Sequence, residues 1–262
     1  MRVGLLQTKP KFGQKDENLK SVVEKLRQTD AELIVLPELF DTGYGFDSRK
    51  RVFELASPIP EGETIKKLRE LSRDKDMAII AGIAERDGDI LYNSAVAITP
   101  DGKVEVYRKF HLFYKEKEFF SPGNLPLKII DFRGAKIGMM ICFDWIFPEV
   151  ARSLSLMGAD IICHPANLVL PYCQNAMITR CLENRVFSIT CNRIGEEEVG
   201  GELYRFTGMS RIISPEGEIL AESSKIKEEI IIVDIDFMAA ENKRITSMND
   251  LFEDRRPDYY RL

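Results

Sequence analysis

The sequence predicts a layered α/β fold with mixed β-sheets. In the first third of the chain, short apolar strands alternate with segments whose apolar residues recur at helical spacing. In the later part, strands follow one another across Asp/Gly or Glu/Gly turns, which is the pattern of hairpins. AITPDGKVEVY at residues 97–107 and IISPEGEILAE at residues 212–222 also share one strand–turn–strand pattern. This echo indicates either two related sheets or an ordinary turn sequence, and both interpretations stay open.

Five strands and two helices are predicted in the N-terminal half. The strands are apolar or alternating runs bounded by Pro, Gly or Asp, and they cover residues 2–8, 32–38, 77–85, 91–99 and 103–110. The helices, at residues 17–28 and 62–75, each present one apolar face. The face of the first is formed by Leu19, Val22, Val23 and Leu26, and that of the second by Ile65, Leu68 and Leu71.

The C-terminal half adds seven strands and two helices. The strands cover residues 125–132, 136–143, 160–166, 186–192, 209–215, 218–223 and 228–236. The helix over residues 148–158 has Pro148 in its first turn and Gly158 just past its end, the expected asymmetry; the second helix covers residues 172–184. A short helix and a tail rich in Arg and Tyr follow. No low-complexity linker divides the chain, so we expect a single domain over residues 1–262.

Composition excludes several classes of protein. The net charge is −5 with acids and bases interspersed, so no basic surface is offered to nucleic acid or to anionic lipid. No apolar run approaches the roughly 18 residues of a membrane helix, and MRVGLLQTKP is too short in apolar residues for a secretory signal. We therefore expect a cytoplasmic protein that binds neither membrane nor nucleic acid. The abundance of Lys and Glu favours a thermophilic source.

The cysteines and histidines predict neither disulfides nor a metal site. Five cysteines are present, an odd number without close pairs, which is typical of a reducing compartment. A zinc site needs at least three ligands at suitable spacing, whereas the chain has only two histidines and no CxxC. Cys163, Cys173, Cys181 and Cys191 are interpreted as packing residues.

Three apolar strands end in side chains that can take part in chemistry. LIVLPELF delivers Glu38, VYRKFHLF delivers Lys109 and GMMICFDW delivers Cys142. Ligand sites collect at the carboxyl ends of strands in α/β sheets, so these side chains are expected to converge. A thiol is mostly protonated at neutral pH, and an adjacent base, a cation or a helix N-terminus activates it. Glu38 then acts as the base, and Lys109 holds the oxyanion formed on attack at a carbonyl or nitrile carbon.

Other interpretations of these residues remain open at this point. Glu38 is equally consistent with a structural ion pair and Lys109 with a surface lysine, because structural ion pairs outnumber catalytic ones. Cys142 is equally consistent with ordinary packing. A further hypothesis pairs Cys142 with His111 or His164 as a Cys–His hydrolase.

The wording of three motifs decides among these interpretations. LPELFDTGY, YRKFHLFYKEKEFFSPG and ICFDWIFPEVARSLSLMGADIICHPAN resemble, in order, the motifs of the nitrilase superfamily of carbon–nitrogen hydrolases. The resemblance runs from about residue 3 to residue 235. It implies Glu38 as general base, Lys109 as stabiliser of the tetrahedral intermediate and Cys142 as nucleophile. It also implies a second glutamate before a Pro-Gly pair, which is Glu116, with Glu118 as the competitor.

The same resemblance implies a fold and an activity. The fold is a four-layer αββα sandwich that forms at least a homodimer through the helices after the cysteine, with a tail at about residues 240–262 reaching the partner. The activity is hydrolysis of an amide, with a nitrile or an N-carbamoyl compound as alternative substrates, through a thioester and without cofactor or metal. A non-catalytic member that binds a metabolite or a partner protein is the alternative.

Residues in loops next to the motifs are expected to line the substrate pocket. Asn167 is the strongest candidate because a carboxamide can orient a polar substrate, and the backbone N–H of Phe143 is expected to join Lys109 in holding the oxyanion. The others are aromatic residues, for which core packing is the alternative: Tyr44, Phe113, Tyr114 and Trp145. The acidic stretch at residues 195–202 is predicted to be a solvated turn.

Overall fold

Two six-stranded β-sheets lie at the centre of the computed structural model, which describes residues 1–199 and 201–260. The strands of the described residues are, in chain order, β1 (Arg2–Gln7), β2 (Leu33–Val35), β3 (Ala78–Asp87), β4 (Ile90–Ile98), β5 (Val104–Arg108), β6 (Ile129–Phe132), β7 (Ala135–Met139), β8 (Ile161–Pro165), β9 (Phe187–Cys191), β10 (Ile194–Val199), β11 (Glu202–Thr207), β12 (Arg211–Ile213), β13 (Ile219–Glu222) and β14 (Glu229–Asp234). The α-helices are α1 (Lys15–Arg27), α2 (Arg49–Leu55), α3 (Glu63–Lys75), α4 (Glu116–Phe119), α5 (Pro148–Leu156) and α6 (Cys173–Asn184). Short 3₁₀ turns cover Cys142–Ile146, Phe237–Glu241 and Pro257–Tyr259.

The two sheets follow one plan. The first has the order β14-β1-β2-β3-β4-β5, in which β1, β2 and β3 are parallel and the other neighbours antiparallel. The second has the order β6-β7-β8-β9-β12-β13, in which β7, β8 and β9 are parallel and the rest antiparallel. The hairpins β4–β5 and β12–β13 therefore occupy equivalent edges. Of the two interpretations of the repeated turn pattern that the sequence left open, this topology favours two related sheets.

Alternation of side chains along the strands builds the layers. On β1, Val3 and Leu5 point into the core between the sheets, where they share an apolar cluster with Ile137 of β7 and Ile161 of β8. Leu6 points the other way, into the cluster beneath α1 and α3. Helices α5 and α6 pack on the outer face of the second sheet. The arrangement is the four-layer αββα sandwich that the sequence resemblance implied.

Several local features differ from the sequence prediction, among them α4, which was not predicted, and the 125–132 and 209–215 strands, which are shortened to β6 and β12. Helix α2 lies in a region for which no element was predicted, and the 32–38 strand is reduced to β2, although the N–H of Leu36 still bonds to the carbonyl of Ile80 at 2.8 Å. The strand predicted at 136–143 ends at Met139. The acidic stretch predicted to be a solvated turn is instead the hairpin β10–β11, with Glu197 buried.

The helices are short. The longest, α1 and α3, have 13 residues each. In the part of the chain that the structure describes, no helix combines the length and the apolar character that crossing a bilayer requires.

Candidate active site

Glu38 lies just past the end of β2 and is completely buried. Its Oε1 accepts hydrogen bonds from Asn93 Nδ2 and from Lys109 Nζ, each at 2.7 Å. Its Oε2 has no hydrogen-bond partner among the described residues. Gly82 of β3 lets the backbone of Glu38 come this close, because a Cβ at residue 82 would lie 2.4 Å from the Glu38 Cα. One carboxylate oxygen is thus anchored and the other is free to take a proton.

Lys109 follows β5 directly and lies between two carboxylates. Its Nζ is 2.7 Å from Glu38 Oε1 and 2.8 and 2.9 Å from the two carboxylate oxygens of Glu116. Burial alone would lower the pKa of Lys109, but the charges of Glu116 and Glu38 outweigh it and raise that pKa above its ordinary value. The amine therefore remains an ammonium inside the protein.

Glu116, and not Glu118, contacts this ammonium. Glu116 begins α4, is buried, and accepts hydrogen bonds from Tyr44 Oη at 3.0 Å and from the Phe113 N–H at 3.1 Å. Glu118 lies on the same short helix but is exposed. Burial raises the pKa of the Glu116 carboxyl to about 7, with Lys109 opposing the shift and Glu38 adding to it.

Cys142 occupies a sharp turn between β7 and the 3₁₀ turn that it begins. Its φ is +40°, in the left-handed region that residues other than glycine rarely adopt. His164 Nε2 lies 2.9 Å from the Cys142 carbonyl oxygen, and the backbone N–H of Asn167 acts to lower the pKa of the thiol. The side chain is 7% exposed. The turn thus directs the sulfur away from the strand and towards the site.

The thiol is neutral at rest. Burial, and then the negative charge of Glu38, raise the pKa of Cys142 well above its ordinary value, and Lys109 opposes this only in part. A nearby cation or helix N-terminus favours a thiolate, but here neither outweighs the effect of burial and of the carboxylates. Two carboxylates surround the single ammonium, and α5 begins only at Pro148, beyond the 3₁₀ turn. The thiol must therefore lose its proton as it reacts.

Asp144 joins the turn of Cys142 to the segment that carries Lys109. It is completely buried, and its Oδ2 accepts hydrogen bonds from the Ile141 N–H at 2.9 Å and from Tyr107 Oη at 2.8 Å. Its Oδ1 accepts from the His111 N–H at 3.1 Å and lies 2.8 Å from His111 Nδ1. Since Tyr107 and His111 flank Lys109 in sequence, one carboxylate fixes both segments in relation to each other.

Neither histidine is paired with the thiol. His164 has one ring nitrogen on the Cys142 carbonyl oxygen and the other 3.1 Å from Thr190 Oγ1, and burial lowers its pKa to about 4. The His111 ring is bonded to Asp144 and is stacked on Phe147 with centroids 3.6 Å apart. The Cys–His hypothesis is therefore wrong: the histidines support the backbone around Cys142 and do not reach its sulfur.

A small pocket opens on Cys142. Of the residues expected to line it, Phe113, Phe143, Trp145 and Asn167 do so. Tyr44 does not: its hydroxyl is bonded to Glu116, and its ring lines a neighbouring pocket. Tyr114 is not part of this lining either, since its side chain is 55% exposed and its hydroxyl donates to Glu202 on β11.

Comparison with known proteins places this geometry in a family. A family model described as carbon-nitrogen hydrolase matches residues 2–244. The chain belongs to the carbon–nitrogen hydrolase family. It is 48% identical to a protein of Pyrococcus abyssi named nitrilase, with 99% of each chain covered. It is 30% identical to an (R)-stereoselective amidase of a Pseudomonas species, covering 98% of this chain and 92% of the relative. The resemblance to the nitrilase superfamily is confirmed.

A solved structure supports the fold independently. The carbon-nitrogen hydrolase of Helicobacter pylori G27 superposes with a TM-score of 0.86 at 27% identity, covering 99% of this chain and 96% of the other. The αββα sandwich described above is therefore the fold of this hydrolase family, and the chain is an enzyme of the amidase and nitrilase type.

Some residues of this hydrolase site were not found from the sequence. Asn93 lies in the middle of β4, where nothing in the alternating pattern separates it from a packing residue. Asp144 was quoted within a motif but given no role, since its four contacts come from other segments. Gly82 had a usable signal, because a glycine inside a strand indicates close approach of another backbone.

The acidic stretch also supports the hydrolase site. Glu197 Oε1 is paired with the buried Arg193 at 2.5 Å, and Glu197 Oε2 accepts the backbone N–H of Tyr44 at 2.9 Å. The hairpin therefore fixes the loop whose tyrosine is bonded to Glu116. Among the described residues, no group of three or more His, Cys, Asp or Glu side chains is arranged to hold a metal ion.

Proposed function

We propose that this hydrolase cleaves the amide bond of a small molecule through a thioester on Cys142. One observation carries the proposal: the Lys109 ammonium bridges Glu38 and Glu116 beside Cys142, while Glu38 Oε2 has no partner in the part of the chain that the structure describes. A neutral thiol beside a free carboxylate oxygen and a fixed cation meets the requirements of nucleophilic acyl transfer.

Acylation begins when Cys142 Sγ attacks the amide carbon while its proton passes to Glu38 Oε2. The carbonyl oxygen becomes an oxyanion held by Lys109 Nζ and by the backbone N–H of Phe143, which lies in the first turn of a helix where N–H groups lack an intrahelical partner. The tetrahedral intermediate then collapses and the C–N bond breaks. The leaving nitrogen takes the proton from Glu38, so ammonia or an amine departs and a thioester remains.

Deacylation uses the same groups in reverse. A water gives one proton to Glu38 as its oxygen attacks the thioester carbon, and the Lys109 ammonium again holds the oxyanion. The C–S bond breaks, the sulfur recovers the proton from Glu38, and the carboxylic acid leaves. Glu116 orients Lys109 and the incoming water, the role that its bidentate contact with Nζ supports.

A nitrile is the second candidate substrate, favoured by the name of the relative at 48% identity. It would pass through a thioimidate with the same residues. N-carbamoyl compounds are compatible with the same chemistry. The complete set of Glu38, Lys109, Glu116 and Cys142 argues against a member of the fold that only binds a metabolite or partner.

The test is ammonia release from a panel of amides, carbamoyl compounds and nitriles, with mass spectrometry of the trapped acyl-enzyme. We expect a mass increase on the peptide that contains Cys142. Cys142→Ala should fold and show no hydrolysis, because the nucleophile is gone. Cys163→Ala is the matched control, since Cys163 is buried on β8 and is not part of the site; it should retain turnover. Turnover by Cys142→Ala would contradict the mechanism.

We also propose that residues 1–262 act as one domain and assemble as at least a homodimer. Support comes from large apolar side chains that are exposed on the outermost helices: Leu156 at the end of α5 and Leu182 on α6. The described part of the tail, residues 240–260, likewise exposes Ile245 and Met248. A partner subunit covering both regions would bury this apolar surface.

A further inference from the structure

The lining of the pocket at Cys142 is mostly apolar, which restricts the ligands that it can bind. Six of its eight described lining residues are apolar: Phe113, Phe143, Trp145, Leu168, Val169 and Leu170. The remaining two are Cys142 and Asn167, so no described residue of the lining carries a charge. The empty space, which includes the open mouth, is about 260 Å³.

Asn167 is the polar feature of this lining. Its side chain is 3% exposed, yet neither Oδ1 nor Nδ2 has a hydrogen-bond partner among the described residues. Its backbone is held in place, because the N–H of the next residue, Leu168, donates to Asn192 Oδ1 at 2.9 Å. A buried carboxamide without partners is destabilising unless a ligand supplies them. It offers one acceptor and two donors, all uncharged.

The two lysines near the pocket are already paired with carboxylates. Lys109 is neutralised by Glu38 and Glu116, as described above. Lys115 belongs to the neighbouring pocket, and its Nζ lies 3.0 Å from Glu202. A substrate carboxylate or ammonium placed among Leu168, Val169 and Leu170 would therefore lose its hydration without gaining a partner.

We infer that the Cys142 pocket accepts small substrates whose acyl group is uncharged and whose polar atoms pair with the side chain of Asn167. This rests on the proposed function, which it narrows to neutral amides. Amides that end in a carboxylate or an amine are poor substrates. The substrate must accordingly come from a reaction that yields an uncharged amide.

The first test compares three amides of one skeleton: butanamide, succinamate and 3-aminopropanamide, which end in a methyl, a carboxylate and an ammonium. We expect kcat/KM for butanamide to exceed that for each charged amide by at least about 30-fold, because burying an unpaired charge is costly. A smaller ratio for either charged amide would overturn the inference.

Two variants identify the residues responsible. Leu170→Arg, at the partly exposed rim of the pocket, should raise the succinamate-to-butanamide ratio of kcat/KM at least about tenfold by pairing with the carboxylate. Ile90→Arg is the control, since Ile90 is exposed on β4, and it should leave the ratio unchanged. Asn167→Asp should raise the ratio for 3-aminopropanamide by a similar factor. If both pocket variants leave these kcat/KM ratios unchanged, the assignment is overturned. A general loss of stability would instead lower kcat/KM for all three amides by the same factor.

A second measurement does not depend on turnover. Iodoacetamide and iodoacetate differ only in charge, so their alkylation rates at Cys142, read by peptide mass and divided by their rates with glutathione, report the preference of the pocket. We expect iodoacetamide to be favoured at least tenfold, and a smaller preference would overturn the inference. If no amide in the panel releases ammonia, the proposed hydrolysis fails while this ratio still decides the charge preference.

Discussion

Glu116 shows how strongly burial acts on a single side chain. Its pKa is raised from an ordinary 4.5 to about 7, so the folded protein binds this proton more tightly than the unfolded chain does. Its contribution to stability is complete below about pH 4.5 and is lost as the pH rises through 7. The contribution of this residue therefore stabilises the folded protein at acidic pH and is lost at mildly alkaline pH.

Replacing Glu116 by Gln should remove this pH dependence. We expect the unfolding free energy of the parent, measured against that of Glu116→Gln, to fall by roughly 2–3 kcal/mol between pH 5 and pH 8. Urea denaturation at the two pH values measures the difference. Glu118→Gln is the matched control, because Glu118 is exposed on the same helix. Equal pH dependence in parent and Glu116→Gln would refute the assignment.

At the residue scale, sequence placement revealed the groups that react but not the groups that hold them. Glu38, Lys109 and Cys142 each follow the end of a strand, where the chain itself marks them. The sequence gives no comparable signal for Asn93 or for the residues that contact Asp144, because their role depends on segments that meet only in the folded protein. The choice between Glu116 and Glu118 likewise needed the direction of a side chain.

At the level of elements, the turn of Cys142 depends on Asp144. Asparagine has nearly the same shape, but its carboxamide NH2 group would replace one carboxylate oxygen. That NH2 group would then face other donors, either the N–H of Ile141 and Tyr107 Oη or the N–H of His111. The substitution would also remove the negative charge that these hydrogen bonds stabilise.

Asp144→Asn should therefore lower both stability and turnover. We expect a loss of about 2–4 kcal/mol in unfolding free energy and a fall of at least about tenfold in kcat with butanamide, with KM changing less, because the nucleophile and Lys109 lose their alignment. Asp131→Asn, on the exposed side of β6, is the control. Equal kcat in Asp144→Asn and parent would contradict a positioning role.

The hairpin β10–β11 shows why one element was misjudged. Three consecutive glutamates led to the prediction of a solvated segment, because the sequence shows their charge but does not show which residue forms an ion pair with them. Arg193 lies four residues before Glu197, is itself buried, and stacks over the Phe206 ring at 4.0 Å. The spacing of charged residues in the sequence does not distinguish a buried ion pair from an exposed one.

At the scale of the whole molecule, the proposed dimer has a direct test. Leu156→Asp and Leu182→Asp place charges on the exposed faces of α5 and α6. If these faces meet a partner subunit, both variants should shift light scattering from at least twice the monomer mass towards the monomer, because a buried unpaired charge disrupts an interface. Ile90→Asp, exposed on the first sheet, is the control and should leave the assembly unchanged. A monomeric parent would contradict the proposal.

The global architecture was the most predictable level. Alternating strands and helices indicated mixed sheets, and the repeated turn at residues 97–107 and 212–222 corresponds to a shared plan of strands in both sheets. What the pattern could not supply was the stacking of one sheet on the other, because side-chain periodicity identifies a buried face without identifying its partner.

The attacking atom and its proton acceptor belong to opposite layers of the sandwich. Cys142 follows a strand of the second sheet, while Glu38 and Lys109 follow strands of the first. A shift of one sheet relative to the other by about 1 Å would leave the hydrogen bonds within each sheet intact and still separate sulfur from carboxylate. The alignment of the catalytic groups therefore depends on the registry between the two sheets.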